Sequence, residues 1–267
     1  NKNVEFLKDK GVEIVNDSIT DRMMLEKEMK GYEFVFHQAA LVSVVESIEK
    51  PELSRKINFD GTVNVLEAAR KNEIEKVIFA SSCAIYGETV KLPVDETDEP
   101  VPMSPYAKDK LMGENKCNEY NQKYDLPVVC LRYFNIYGPR QSAKSAYAAA
   151  IPKFIERVLS DKKIEIYGDG NQTRDFVFVE DVIQANLKAA IEKNARNCYL
   201  NIGSGTETTI NEVIRIIMEI IKKEVEIKYL DEREGEIKNS YADINKAKKI
   251  LGYEPQWNLK KGLHKTI

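Results

Sequence analysis

Short apolar runs and segments of helical period take turns along this chain, and few folds accept that alternation. Apolar runs occupy residues 11–15, 32–36, 76–80, 127–132, 163–167 and 197–202, and helical patterns at 20–30, 51–71, 104–124 and 180–193 separate most of them. Strand and helix in turn predict an α/β fold with a doubly wound parallel sheet and right-handed crossovers. Val77, Ile78, Phe79 and Ala80 are consecutive and apolar, as expected of a strand covered by helices on both faces. Beyond about residue 140 the rhythm loosens into small elements, with turns at Gly168-Asp169-Gly170 and Gly203-Ser204-Gly205, which predicts a second, smaller α/β lobe.

Composition excludes several classes of function. The 267 residues are 43% hydrophobic, enough for a substantial core. A net charge of -3 offers no basic field for nucleic acid. No apolar run approaches the roughly 18–20 residues of a membrane span, and no signal peptide is recognised, so neither a membrane nor an export route is expected. The four cysteines show no C-x-x-C spacing, and Cys130 and Cys198 fall in expected buried strands, which suits reduced thiols and a cytoplasmic location. His37 and His264 are the two histidines and lie far apart, so no metal site is expected.

Chemistry concentrates at Tyr106 and Lys110. Of the 13 tyrosines only Tyr106 has a lysine four residues on. That spacing puts both on one helical face, where an ammonium beside a phenol is expected to lower its pKa and make a usable base. Ser104-Pro105 reads as a helix cap followed by a first-turn proline, so Tyr106 belongs to the first turn. Ser81-Ser82 closes an apolar strand, at the end of the sheet where open α/β folds place ligands.

These residues carry a family resemblance. The stretch 77–87 around Ser81-Ser82-Cys83, then 104–110 with Tyr106 and Lys110, then 132–141 beginning Arg132-Tyr133-Phe134-Asn135, resembles the extended short-chain dehydrogenases/reductases. Segments 37–40, 58–62, 168–177 and 251–255 continue the likeness over essentially the whole chain. It implies a Rossmann-like NAD-binding domain over residues 1–145, joined by segments near 175–205, and a UDP-sugar lobe made mainly of 146–267. Dehydratases of this family have an acid and base, and decarboxylases a Ser-Glu, where this chain has Cys83-Ala84. The resemblance therefore points to NAD-dependent epimerisation at carbon 4, most like UDP-N-acetylglucosamine and UDP-glucose 4-epimerases. UDP-glucuronate 4-epimerases and a non-catalytic nucleotide-binding or dimerisation module are the alternatives.

Residue roles follow from the same likeness. Tyr106 is the implied base, Ser82 its hydrogen-bonding partner, and Lys110 the supporting cation. Cofactor contacts are implied for Asp17, Ser18, Ala39, Ala40, Asn58, Ser81, Tyr106, Lys110 and Tyr133. Substrate contacts are implied for Ser43, Ser82, Cys83, Asn135, Ile151, Tyr167, Arg174, Arg233 and Ser240. Asn135, Arg174 and Arg233 would meet the diphosphate, Tyr167 the uracil, and the small Ser240 would admit an N-acetyl group. A homodimer through a four-helix bundle is implied for the helices at 51–71 and 104–124, and Val63, Leu66, Ala69, Met112 and Tyr120 read either as its seam or as core. Members of this family open with a glycine-rich phosphate turn inside a first βαβ unit of roughly 40 residues. That turn is not in this sequence, so the expected sheet lacks its first βαβ unit. Gly203-Ser204-Gly205 follows a strand and precedes a helix but has no third glycine, and is read as a substrate-lobe turn.

Overall fold

The computed structural model describes residues 2–88, 91–143, 149–232 and 237–267. In chain order, α1 (Lys2–Asp9) and α2 (Arg22–Glu28) lead to β1 (Phe34–His37). Short helices α3 (Val44–Glu49) and α4 (Pro51–Arg55) run through a π-helical turn (Lys56–Asp60) into α5 (Gly61–Lys71). β2 (Lys76–Ser82) ends in a 3-10 turn (Cys83–Tyr86), and α6 (Pro105–Tyr124) returns the chain to β3 (Val128–Tyr133). There follow β4 (Asn135–Tyr137), α7 (Ala150–Leu159), β5 (Ile164–Tyr167), β6 (Thr173–Arg174), β7 (Phe176–Phe178) and α8 (Val179–Ile191). The remaining elements are β8 (Cys198–Ile202), β9 (Thr208–Thr209), α9 (Ile210–Ile221), β10 (Ile227–Leu230), α10 (Asn245–Leu251) and α11 (Leu259–Thr266).

Parallel pairing in the order β1-β2-β3-β8 makes the central sheet. Alternation along β2 divides the core between its two faces. Val77 and Phe79 join Leu25, Val65, Leu66 and Cys117 from α2, α5 and α6. Ile78 and Ala80 join Val182, Ala185 and Ala189 from α8. Gly113 lets α6 lie close on the sheet, because a Cβ there would come within 2.8 Å of the Phe79 ring. The register sets Ser82 opposite Tyr133, and Tyr133 opposite Ile202, so the strand ends that carry candidate site residues finish level.

The smaller lobe has its own core, in which Ile151, Phe154, Val158, Ile164, Ile214 and Ile217 pack together. Its sheets are two-stranded: β5 with β10 and β4 with β7 run parallel, while β6 and β9 are antiparallel.

One expectation is corrected and one open alternative is decided. Residues 11–15 form no strand: Val12 and Val15 are exposed, and β1 pairs only with β2 among the described residues. An extended segment becomes a strand only where a neighbouring ladder takes up its backbone groups, and 11–15 finds none. Of the residues that read as either seam or core, Leu66 and Ala69 at 0% exposure and Tyr120 at 8% are core. These side chains cover the sheet, and Val63 and Met112 are half-buried. An apolar helix stripe reads the same in sequence whether it faces a sheet or a second subunit.

Candidate active site

Ser82 ends β2 and caps the 3-10 turn, its Oγ accepting from the Ala84 amide at 3.2 Å. The Tyr106 phenol lies near enough to feel the Ser82 hydroxyl. Ser104 caps α6 by accepting from the Ala107 amide at 3.2 Å, and Pro105 fills the first helical position. Tyr106 therefore projects from the first turn of a 20-residue helix laid across the sheet. Lys110, one turn on and 3% exposed, donates to the Ala80 carbonyl at 2.7 Å. Its Nζ lies 5.0 Å from the Phe79 ring centroid and 5.9 Å from that of Tyr106.

Burial dominates the electrostatics here. It pushes Lys110 down to about 8, against the raising influence of Cys117, Asp109 and Glu114. It raises the Tyr106 phenol above its ordinary value, and the nearby Ser82 hydroxyl only opposes that shift. The expected lowering of Tyr106 by Lys110 is thus corrected: the ammonium is engaged with a backbone carbonyl, and desolvation of the phenol wins. Burial also lifts the half-buried Cys83 thiol to about 12, with Asp175 adding to the rise and Arg174 opposing it. This coupling brings Cys83, Arg174 and Asp175 into one neighbourhood with Tyr106, whose phenol also feels Cys83.

Toward the smaller lobe, Asn135 donates both its backbone amide (2.9 Å) and its side-chain amide (3.3 Å) to the Asp175 carbonyl. Arg174 Nη1 donates to the carbonyls of Thr173 (2.7 Å) and Lys238 (3.2 Å). Half-buried Ser240 donates its amide to Thr173 O at 3.2 Å, next to Arg174. Tyr167 lies exposed along a cleft of about 240 Å³ that Gln172, Lys238 and Asn239 also line. Arg233 lies outside the described residues.

Other expected contacts are committed within the protein. Asn58 Oδ1 accepts from Leu41 N at 2.8 Å and its Nδ2 donates to Leu41 O at 3.0 Å, so it holds the turn after β1. In that turn Ala39 is exposed and Ala40 half-buried. Ser81 donates to Glu114 at 2.6 Å, on the helix side of β2. Tyr133 donates to Asn186 at 2.9 Å and accepts from Gln38 at 3.1 Å, and burial raises it to about 12. Ile151, 1% exposed, belongs to the lobe core. Ser43 caps α3 by accepting from Glu46 N. Asp17 and Ser18 are exposed, and Ser18 N donates to Asp17 Oδ1. The structure brings Ser82, Cys83, Tyr106, Lys110 and Arg174 together and leaves Asp17 and Ser18 apart.

Two buried acids escaped the sequence reading. Asp175 accepts from the amides of Ser204, Gly205 and Ala242 and from the Ser204 hydroxyl. A Cβ on Gly203 would come within 2.4 Å of Asp175 Oδ2, so this glycine turn serves the acid. Glu114 pairs in bidentate fashion with Arg132, at 2.9 and 2.7 Å, with both side chains buried. Glu114 follows Lys110 by four residues on the same helix, a spacing that could have revealed it.

A tyrosine, a lysine one turn on and a serine at a parallel strand end define the short-chain dehydrogenase/reductase class. The chain belongs to the NAD dependent epimerase/dehydratase family, whose sequence profile matches residues 1–203. It is 44% identical over 257 residues to a putative UDP-glucose 4-epimerase of Methanocaldococcus jannaschii, covering 96% of this chain and 83% of that one. Its fold is similar to the UDP-glucose 4-epimerase of Thermotoga maritima with UDP-glucose, at a TM-score of 0.91 and 39% identity, covering 94% of this chain and 82% of the other. A UDP-N-acetylglucosamine 4-epimerase from Methanobrevibacter ruminantium, in complex with UDP-N-acetylmuramic acid, is equally similar: TM-score 0.91, 39% identity, 95% of this chain and 81% of that one. Membership makes the chain an NAD-dependent enzyme of the epimerase type. Its residues fit the reactive end of that cofactor, since a buried ammonium, a phenol and a serine hydroxyl converge at the carboxyl end of β2. Among the described residues no helix is long and apolar enough to cross a membrane, and no group of three or more acids, histidines or cysteines could hold a metal.

Proposed function

We propose that this chain inverts carbon 4 of a UDP-hexose in a reversible, redox-neutral reaction. The observation that carries this reading is Tyr106 standing beside Ser82 at the end of β2, with the buried Lys110 ammonium 5.9 Å from its ring and Cys83-Ala84 alongside. Tyr106, acting as phenolate beside the Lys110 ammonium, takes the proton of the 4-hydroxyl and returns it to the inverted carbon's oxygen. Ser82 Oγ donates to the same oxygen and fixes its direction. Lys110, buried and cationic below about pH 8, opposes the negative charge that grows on the phenol. NAD, when bound, supplies the acceptor and donor for the hydride at carbon 4. Cys83, with its thiol pushed to about 12, adds no acid or base near neutral pH, which supports inversion over elimination.

Asn135, Arg174 and Arg233 are assigned to the diphosphate, because guanidinium forks match phosphate oxygens. Tyr167, exposed beside the cleft, is assigned to the uracil face. The small Ser240 leaves room for a 2-acetamido group, so both UDP-glucose and UDP-N-acetylglucosamine are accepted as substrates.

The test is turnover of UDP-glucose, UDP-N-acetylglucosamine and UDP-glucuronate with NAD supplied. Conversion of the first two supports the reading, and no conversion of any of the three overturns it. Ser240→Tyr should remove activity on the acetylated sugar first, and equal loss on both sugars would refute the gate.

A further inference from the structure

Helix α6 begins with an unusual account of its backbone donors. The first N–H groups of any helix lack partners within it and must find them elsewhere. Pro105 has no N–H, Ala107 donates to Ser104 Oγ, and Lys108 makes the first intrahelical bond, to Ser104 O at 2.9 Å. The remaining donor is the amide of Tyr106. It crosses to another helix and donates to Ser47 Oγ at 3.1 Å.

Ser47 lies in α3 with 0% exposure. Its hydroxyl donates to Val44 O at 2.6 Å while accepting from Tyr106, so donor and acceptor functions are both used. Val44 is the first residue of α3, directly after its cap Ser43. One buried hydroxyl therefore links the turn at Ser43 to the backbone of Tyr106 across 59 residues of sequence.

We infer that Ser47 is a positioning residue: it sets the start of α6 so that the Tyr106 hydroxyl stays against Ser82, and it joins the base to the substrate turn at Ser43. The inference rests on Tyr106 being the base. Ser47 touches neither reacting atom and acts through the backbone of the residue that does. The rest of α6 is anchored independently, by Ser54 Oγ donating to Asp109 at 2.6 Å, by Lys110 on Ala80 O, and by Arg132 on Glu114. Loss of Ser47 should therefore loosen the first turn and spare the helix.

The test compares Ser47→Ala with Ser47→Thr, which keeps a hydroxyl. Amide hydrogen exchange on the full chain reads the tether directly. In Ser47→Ala the Tyr106 amide should exchange about tenfold faster, the scale of one lost hydrogen bond, with residues 111–120 unchanged. Turnover of UDP-glucose should fall about five- to tenfold, with UDP-glucose affinity held within twofold, and Ser47→Thr should restore both readings. Unchanged exchange at Tyr106 would overturn the inference. So would faster exchange throughout α6 in step with a lowered Tm, which marks a merely structural serine. Full turnover in Tyr106→Phe would instead sink the base assignment, while the exchange pattern would still decide the tether.

Discussion

Tyr106 and Arg174 both lie near enough to Cys83 to couple with its charge, yet they are held in different ways. Around Tyr106 the contacts come from several elements packed on the central sheet: Ser82 at the end of a seven-residue strand, Ser47 in α3, and Lys110 on the β2 backbone. Arg174 stands on a two-residue strand, and its guanidinium donates to the carbonyl of the preceding residue and to that of Lys238. The cleft at Tyr167 is lined by Asp169, Asn171, Gln172, Lys238 and Asn239. The difference matches the roles proposed for the two ends. Proton transfer needs fixed geometry, while a flexible nucleotide diphosphate is gathered well by adaptable charged side chains on loops.

Substitutions at the two ends should separate accordingly. Tyr106→Phe should cost about 10²–10⁴ in turnover, the usual worth of a positioned acid-base group, with UDP-glucose affinity preserved in calorimetry. Strongly weakened binding in that variant would blur the distinction between the ends. Glu114→Ala leaves Arg132 buried with its charge uncompensated, which should lower stability by about 3–5 kcal/mol in urea unfolding. A change near zero would mean that the rigid end does not depend on this pair.

Acid should also act on the rigid end. Burial, with Lys110 adding to it, holds His37 down to about 3 from an ordinary 6.5, and its Nε2 bonds Thr62 Oγ1 at 2.8 Å. The unfolded chain takes up this proton below about pH 6.5 and the folded chain does not, so stability falls as pH drops through that window. The loss from this group is roughly 3 kcal/mol between pH 7 and pH 4, and His37→Gln should flatten that part of the urea-midpoint profile. The smallest effect belongs to the adaptable end. Arg174→Ala should raise the KM for UDP-glucose about 10- to 100-fold and leave kcat within a few-fold, and a fall confined to kcat would contradict the division of labour.

Much of this arrangement is legible in the residue order. The Tyr106–Lys110 spacing, the Ser104-Pro105 start and the Ser81-Ser82 strand end describe local geometry, and each appears where the spacing puts it. The expectation about the Tyr106 pKa failed for a different reason. Sequence spacing brings a lysine near the phenol but does not show that the Ala80 carbonyl takes the ammonium, or how far both groups are desolvated. Asn58 and Ser81 carried the right motif and turned their polar atoms to Leu41 and Glu114, choices made by partners 17 and 33 residues away.

By itself, then, the sequence determined the parallel α/β class, the helix that presents Tyr106 and Lys110, and the strand end that meets them. These depend on side-chain period, capping and spacing, which act over a few residues. Only the tertiary structure decided that residues 11–15 stay unpaired, that Leu66, Ala69 and Tyr120 are core, and that Ser47, Glu114 and Asp175 hold the site together. Those outcomes depend on which distant groups arrive to share a ladder, a charge or a hydrogen bond, and local pattern carries no record of that meeting.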